Sequence, residues 1–307
     1  MATRLELGSF TPSVLLGVAR DAGVLAEYRL SVNEHPVTSS PAQFRSLLAG
    51  ELDVALTSPD NVLAYRFVPS NPLGATASVT IVCAVDRGMG LALYGRAGIA
   101  SAAELRGGVF AVDVPNSGFA FAMYALAESL GLDQRDFTIV PLGATPSRLQ
   151  ALLAGDCDAT MLNAGNELLA SAAGAVELAR VTSVTTSYLG TVLACAGESV
   201  SGPVSQLASA LTKTAQAIVS GSLDDLTADV AARTLRLPSH LALQYLRSLK
   251  DPREGLVSDG VVDLASMEAI VRLRRRYAPA VVDGVDVLAD ALKPGSGLIA
   301  RLPGGTR

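Results

Sequence analysis

The residues best placed to do chemistry are short polar clusters that follow apolar runs. Asn116-Ser117-Gly118 comes after Pro115 and opens a helix, so free N–H groups and the positive helix end favour an anion there. Gly118 lets backbone approach a ligand closely, although the three residues also make an ordinary helix cap. Thr57, Ser58 and Asn61 close one apolar run, and Asn163 and Asn166 close another. Each set either faces a ligand or bonds its own turn. Phe10 and Thr11 follow the first run, with Thr11 placed to cap the next helix, while Ser39 and Ser40 open a later one. Phe10 is either a ligand-covering surface or a core plug. The three lysines, Lys213, Lys250 and Lys293, all lie in the last third, and no obvious arginine clamp accompanies the clusters. A ligand with one carboxylate, one sulfonate or a polar ring suits this set better than a polyanion, which calls for a bidentate arginine.

Acid–base chemistry has two candidates, conditional on the protein being an enzyme. His35 follows an extended run and could act as a base, and Asp113 ends a strand and could orient a partner or act as an acid. A lone histidine before proline is otherwise a turn residue. There is no nucleophile elbow with a Ser-His-Asp order, no HExxH, no Walker loop and no GxGxxG after a strand. His35 and His240 make no zinc site by themselves. No metal and no cofactor is expected.

The elements that must position these clusters come in two copies. Pro41-Ala-Gln-Phe-Arg-Ser-Leu-Leu-Ala-Gly-Glu-Leu-Asp53 is echoed by Pro146-Ser-Arg-Leu-Gln-Ala-Leu-Leu-Ala-Gly-Asp-Cys-Asp158. Each copy predicts a helix with proline in its first turn and a glycine stop, Gly50 or Gly155. Short strands over 54–57 and 159–162 follow, and run into the polar tips. Strands are expected near 5–8, 28–33, 78–85, 109–112 and 137–140, with helices near 12–22, 119–130 and through most of 204–292. A strand over 188–196 returns to the first sheet. This βαβαβ order, met twice, predicts an α/β fold of two lobes, each a mostly parallel sheet flanked by helices, with a ligand cleft between them. The first lobe would take residues 1–85 and 190–307, and the second 86–189. The end from Pro294 to Arg307, rich in Gly and Pro, either frays or hugs the surface.

Composition narrows the function classes. The chain has 307 residues, half of them hydrophobic and 17% charged, which describes a globular protein. Its apolar runs are too short to span a bilayer, so no membrane insertion is expected. A net charge of −5 argues against nucleic acid. The basic cluster from Arg272 to Arg276 reads as a solvated helix face or a partner surface. Cys83, Cys157 and Cys195 sit among apolar neighbours as buried thiols, with a Cys83–Cys195 bridge left open.

The run Leu105-Arg-Gly-Gly-Val-Phe-Ala-Val-Asp-Val-Pro-Asn-Ser-Gly-Phe-Ala-Phe-Ala122 resembles type II periplasmic binding proteins, within their sulfonate, taurine and pyrimidine-precursor branch. The segments Leu47-Leu-Ala-Gly-Glu-Leu-Asp-Val-Ala55 and Asp259 to Arg274 share that likeness, which spans roughly residues 4–285. It implies a monomeric capture subunit of an ABC importer that closes over a small molecule and delivers it to a permease. A hinge near 82–90 and 188–196 would close the lobes. The compartment is periplasmic if a signal has been removed, and cytoplasmic if Met1 is the native start. Enzymes of the same fold are the alternative, as decarboxylase, hydrolase or synthase acting on a small aromatic or heterocyclic acid. Against the pyrimidine synthases, Asn61 stands where their histidine would align, and no lysine lies near the cleft to hold pyridoxal phosphate.

Overall fold

Both copies of the repeated unit fold as their punctuation dictates. The structure, a computed structural model, describes residues 2–300. It opens with β1 (Thr3–Ser9), α1 (Val14–Asp21), α2 (Val24–Glu27), β2 (Leu30–Pro36), α3 (Ser40–Leu48), β3 (Val54–Thr57), α4 (Pro59–Phe67) and β4 (Val79–Asp86). The middle carries β5 (Ala92–Gly95), β6 (Val109–Val112), α5 (Gly118–Ser129), β7 (Thr138–Pro141), α6 (Thr145–Ala154), β8 (Ala159–Leu162), α7 (Asn166–Ala172) and β9 (Val176–Arg180). Then come β10 (Thr191–Ala196), α8 (Gly202–Val219), α9 (Asp224–Leu235), α10 (Ser239–Leu249), α11 (Leu264–Tyr277) and a hairpin of β11 (Val281–Val282) and β12 (Val285–Asp286).

Two five-stranded sheets result, ordered β2-β1-β3-β10-β4 and β7-β6-β8-β5-β9. In each, one strand runs against both neighbours, β10 in the first sheet and β5 in the second, so the other strands all point one way. The fold is thus mixed α/β with two mostly parallel sheets flanked by helices. The units β1-α1-β2-α3-β3-α4 and β6-α5-β7-α6-β8-α7 correspond element by element. Their repeated helices, α3 and α6, each carry proline in the first turn, and Gly50 and Gly155 follow at φ 74° and 82°.

Several boundaries differ from the sequence reading. Ser13, not Thr11, caps α1: its extended backbone lets its hydroxyl accept from Leu16 N–H at 3.2 Å. The sequence pattern does not mark β5 and β9, because the four residues of β5 follow a glycine-rich turn and β9 mixes Glu and Arg with apolar positions. Residues 281–300 form the hairpin and turns rather than a helix. Of the C-terminal segment, 294–300 is described and 301–307 lies outside the described residues. Ile299 bridges Ile81 on the edge strand β4, and Ala300 N–H donates to Ile81 O at 2.8 Å, so this segment covers an otherwise open edge. The three cysteines are buried free thiols. No described helix is long and apolar enough to cross a membrane.

Two segments cross between the sheets, residues 87–91 after β4 and residues 188–190 before β10. They touch so closely that a Cβ on Gly190 would lie 2.5 Å from Gly88 Cα. A third segment straps the first of them: Arg87 N–H donates to Gly255 O at 2.9 Å and Met89 N–H to Glu254 O at 2.8 Å.

Candidate functional site

The forward ends of β1, β3, β4, β6 and β8, with the start of the reversed β10, all open onto one cavity of about 120 Å³. That is the place where open α/β sheets take ligands. It is also close in size to an engineered 150 Å³ cavity that holds benzene. Most of the wall is apolar, supplied by Phe10, Val14, Leu56, Met89, Phe119 and Tyr245 among others. The polar part comes chiefly from helix starts.

Four helix N-termini converge here. Ser13 caps α1, Ser58 caps α4 by accepting from Asp60 N–H at 3.3 Å, and Ser117 caps α5 by accepting from Ala120 N–H at 3.2 Å. Ala144 and Thr145 bring the start of α6. The Gly118 and Phe119 N–H groups of α5 have no protein acceptor among the described residues. Helix α7, the counterpart of α4, contributes no such end, because its own Glu167 carboxylate accepts from Gly165 N–H at 2.8 Å. Burial pushes that Glu167 carboxyl up to about 8.

Three charged side chains reach the wall: Arg148, Asp113 and Asp86. Arg148 is 2% exposed. Its guanidinium donates to Gly143 O (3.0 Å), Thr160 Oγ1 (2.9 Å), Met161 O (2.5 Å) and Thr145 Oγ1 (2.9 Å), which engages four of its five N–H groups. It braces the cavity wall and leaves little for a bidentate clamp. Asp113 accepts from the Ser117 hydroxyl at 2.5 Å, and burial raises its pKa against the opposing pull of Arg148. Asp86 accepts from Gly88 N–H at 2.8 Å, and burial lifts its carboxyl to about 6.

Arg148 escaped the sequence reading, yet the repeat held a signal for it. It aligns with Gln43 in the first copy, where the same helix position carries another buried polar side chain. Gln43 Nε2 donates to Gly8 O and Leu56 O at 3.0 and 3.1 Å, tying α3 to β1 and β3. Arg148 does the corresponding job for α6 and β8, since Met161 is the counterpart of Leu56. Swapping an amide for a guanidinium adds a positive charge to the cavity wall at that point.

Of the residues singled out in the sequence, Phe10, Thr11, Thr57, Ser58, Asn61, Asp113, Ser117, Gly118 and Asn163 are brought together around the cavity. Five others are not, of which Ser40 is buried in the first turn of α3. Ser39 accepts from Ala42 N–H as the cap of α3. Asn116 is exposed, and its carbonyl accepts from Arg274. Asn166 stands one layer back, donating to Asn163 O at 2.9 Å and to Thr11 Oγ1 at 3.5 Å. His35 sits exposed on β2, 2.5 Å from Glu6 Oε2 and away from the cavity.

The two halves of the wall are pressed together. A Cβ on Gly118 would meet Asp60 Cβ at 2.6 Å and Ser58 Oγ at 2.9 Å, and one on Gly143 would meet Thr38 O at 2.9 Å. Behind this contact Asp60 and Arg274 form a bidentate ion pair at 2.6 and 2.7 Å, with side chains 1% and 4% exposed. Arg274 also donates to Asn116 O at 3.1 Å and lies 4.9 Å from the Phe121 ring centre.

No curated protein matches the chain. Among solved structures it resembles the alkanesulfonate-binding protein SsuA of Xanthomonas axonopodis pv. citri, bound to MOPS, at 16% identity and TM-score 0.72, covering 94% of this chain and 97% of that one. The periplasmic aliphatic sulphonate binding protein SsuA of Escherichia coli aligns at 16% identity and TM-score 0.66, over 100% and 96%. The periplasmic nitrate-binding protein NrtA of Synechocystis PCC 6803 aligns at 12% identity and TM-score 0.71, over 92% and 84%. At such identities the likeness establishes the fold. The family follows from a sequence model described as the periplasmic phosphonate substrate-binding protein of ABC transporters, which matches residues 26–230. That is about two thirds of the chain, and the protein therefore belongs to this family of ABC-transporter substrate-binding proteins.

Proposed function

We propose that the protein captures a small organic oxyanion of the phosphonate or sulfonate class, outside the cytoplasm, and delivers it to an ABC permease. The observation that carries this reading is the convergence of four helix N-termini on one cavity, where the N–H groups of Val14, Leu15, Gly118, Phe119 and Thr145 have no acceptor among the described residues. Helix ends of this kind favour negative charge without a mobile counter-ion. The apolar wall would receive the ligand's organic substituent, and Thr57, Ser58, Asn61 and Asn163 would complete the polar contacts. At this cavity size the substituent is short.

Capture would proceed by closure of two lobes, residues 1–85 with 190–307 against 86–189, with the crossing segments near 82–90 and 188–196 as the hinge. The tight Gly118 contact and the Asp60–Arg274–Asn116 bridge support this description, since each joins elements of the two sheets. Closure would expel water and strengthen the polar contacts inside. The protein would act as a monomer. The cavity wall carries neither histidine, lysine nor cysteine, which favours holding the ligand over transforming it.

A thermal-shift screen of the purified protein against alkylphosphonates, alkylsulfonates, carboxylates and nitrate tests the reading, because a ligand that binds only the folded state raises the melting temperature. The expected result is an oxyanion hit recovered unchanged by mass spectrometry. A hit that is consumed, or stabilisation only by neutral or cationic compounds, would overturn it.

A further inference from the structure

The same turn that supplies the free N–H groups also supplies a carboxylate. Asp113 ends β6, and four residues later the Ser117 hydroxyl donates to it at 2.5 Å as α5 begins. Gly118 and Phe119 then offer unclaimed N–H groups to the same cavity. A ligand placed there meets donors and an acceptor side by side.

Nothing nearby neutralises that acceptor outright. Arg148, from α6, is the facing cation, yet four of its N–H groups are held by protein oxygens and no ion pair with Asp113 forms among the described residues. The other titratable groups that feel the Asp113 charge are Tyr65 from α4 and Tyr124 from α5. Burial pushes both hydroxyls up to about 12, so they stay neutral. Asp86 adds a second carboxylate to the wall. A fully ionised oxyanion bound to the α5 N–H groups would therefore lie against the ionised Asp113 carboxylate with no hydrogen between them, so that binding it requires a proton taken up on Asp113, whose pKa burial already raises. Sulfonate and nitrate are fully ionised near neutral pH. A phosphonate is not, since its second ionisation falls at or above that of a phosphate monoester, about 6.

We propose that Asp113 is a specificity-determining residue that reads a proton on the ligand. It accepts a hydrogen bond from the P–OH of a hydrogenphosphonate monoanion while the remaining oxygens accept from the α5 N-terminus, and so selects that monoanion over sulfonate and nitrate. This inference rests on the oxyanion reading above and refines it to one acid class.

The test is calorimetric titration at pH 7 with ethylphosphonate and ethanesulfonate, which share an organic group and a tetrahedral head. The wild type is expected to favour ethylphosphonate by about tenfold or more, the scale of one hydrogen bond to a charged group. In Asp113→Asn the side chain can donate, so that preference should vanish or reverse. A wild type that binds ethanesulfonate at least as tightly, or a preference unchanged in Asp113→Asn, overturns the role of Asp113 and leaves the oxyanion reading standing. Binding of neither probe overturns both. Should Asp113→Asn fail to fold, ethanesulfonate affinity of the wild type is followed from pH 5 to 9. It must fall as pH rises, because the complex then has to recruit the missing proton; a flat profile overturns the proposal.

Discussion

Replacing Gly118 with alanine separates a closing cleft from a rigid one. The new Cβ would lie 2.6 Å from Asp60 Cβ, about 0.8 Å inside ordinary contact. Asp60 cannot yield, since Arg274 grips both of its carboxylate oxygens in a buried pair. Nothing in the Gly118 backbone itself forbids alanine, because its φ is not positive. The α4 and α5 helix starts must therefore separate, at the usual overpacking cost of about 1–3 kcal/mol. If these helices belong to lobes that come together on binding, the cost falls on the closed complex. Kd for the best oxyanion then rises about 5- to 150-fold by calorimetry, while the melting temperature of the ligand-free protein stays within a degree or two. If the contact is permanent, the free protein carries the cost. Its melting temperature then drops by about 2–4 °C per kcal/mol with little change in Kd, and that result would refute the closure argument.

Other perturbations follow from the buried charges. Raised carboxyl pKa values at Asp86, about 6, and Glu167, about 8, mean that the folded state binds more protons than the unfolded chain from about pH 4 to 8. Their contribution to stability is thus full at the acid end of that window and lost as pH rises through the folded values. Melting temperature should climb from pH 8 to pH 5, and Glu167→Gln should flatten that slope; an unchanged slope would show that Glu167 is not its source. Arg148→Met strands the Gly143 and Met161 carbonyls and should cost roughly 3 kcal/mol or more, about 6–12 °C by calorimetry, from unsatisfied groups alone. A loss under 2 °C would mean that α6 is braced otherwise. Asp60→Asn leaves the Arg274 charge buried and should destabilise by about 3–5 kcal/mol. The Asp60→Leu, Arg274→Met double variant should recover much of that loss in urea unfolding, and equal losses would contradict it.

The sequence revealed the architecture where local chemistry sets it. Proline starts, glycine stops and alternating strands marked the repeat, and the strands over 54–57 and 159–162 have those limits in the structure. It was silent where distant chain decides. β5 has four residues and is a strand only because β8 and β9 flank it. Arg148 reads as one polar position on an amphipathic helix until β8 supplies its acceptors. His35 could be read in the sequence either as a base or as a surface turn residue, and only the β1–β2 register decides its surroundings: it pairs with Gly8 on an exposed sheet edge, where its ring reaches Glu6. The helix-start residues fared differently among themselves for a similar reason. Ser117 and Ser58 open onto the cavity, whereas Ser39 only caps its own helix and Asn166 stands behind Thr11.

The central claim is that the helix starts around the cavity hold a small oxyanion, and amide NMR of the 15N-labelled protein addresses it most directly. On titration with the tightest oxyanion of the thermal-shift panel, the Gly118 and Phe119 amide signals are expected to shift and saturate at one equivalent, with the oxyanion unchanged in solution. Saturable binding that leaves those two amides unmoved while signals elsewhere respond would contradict the account.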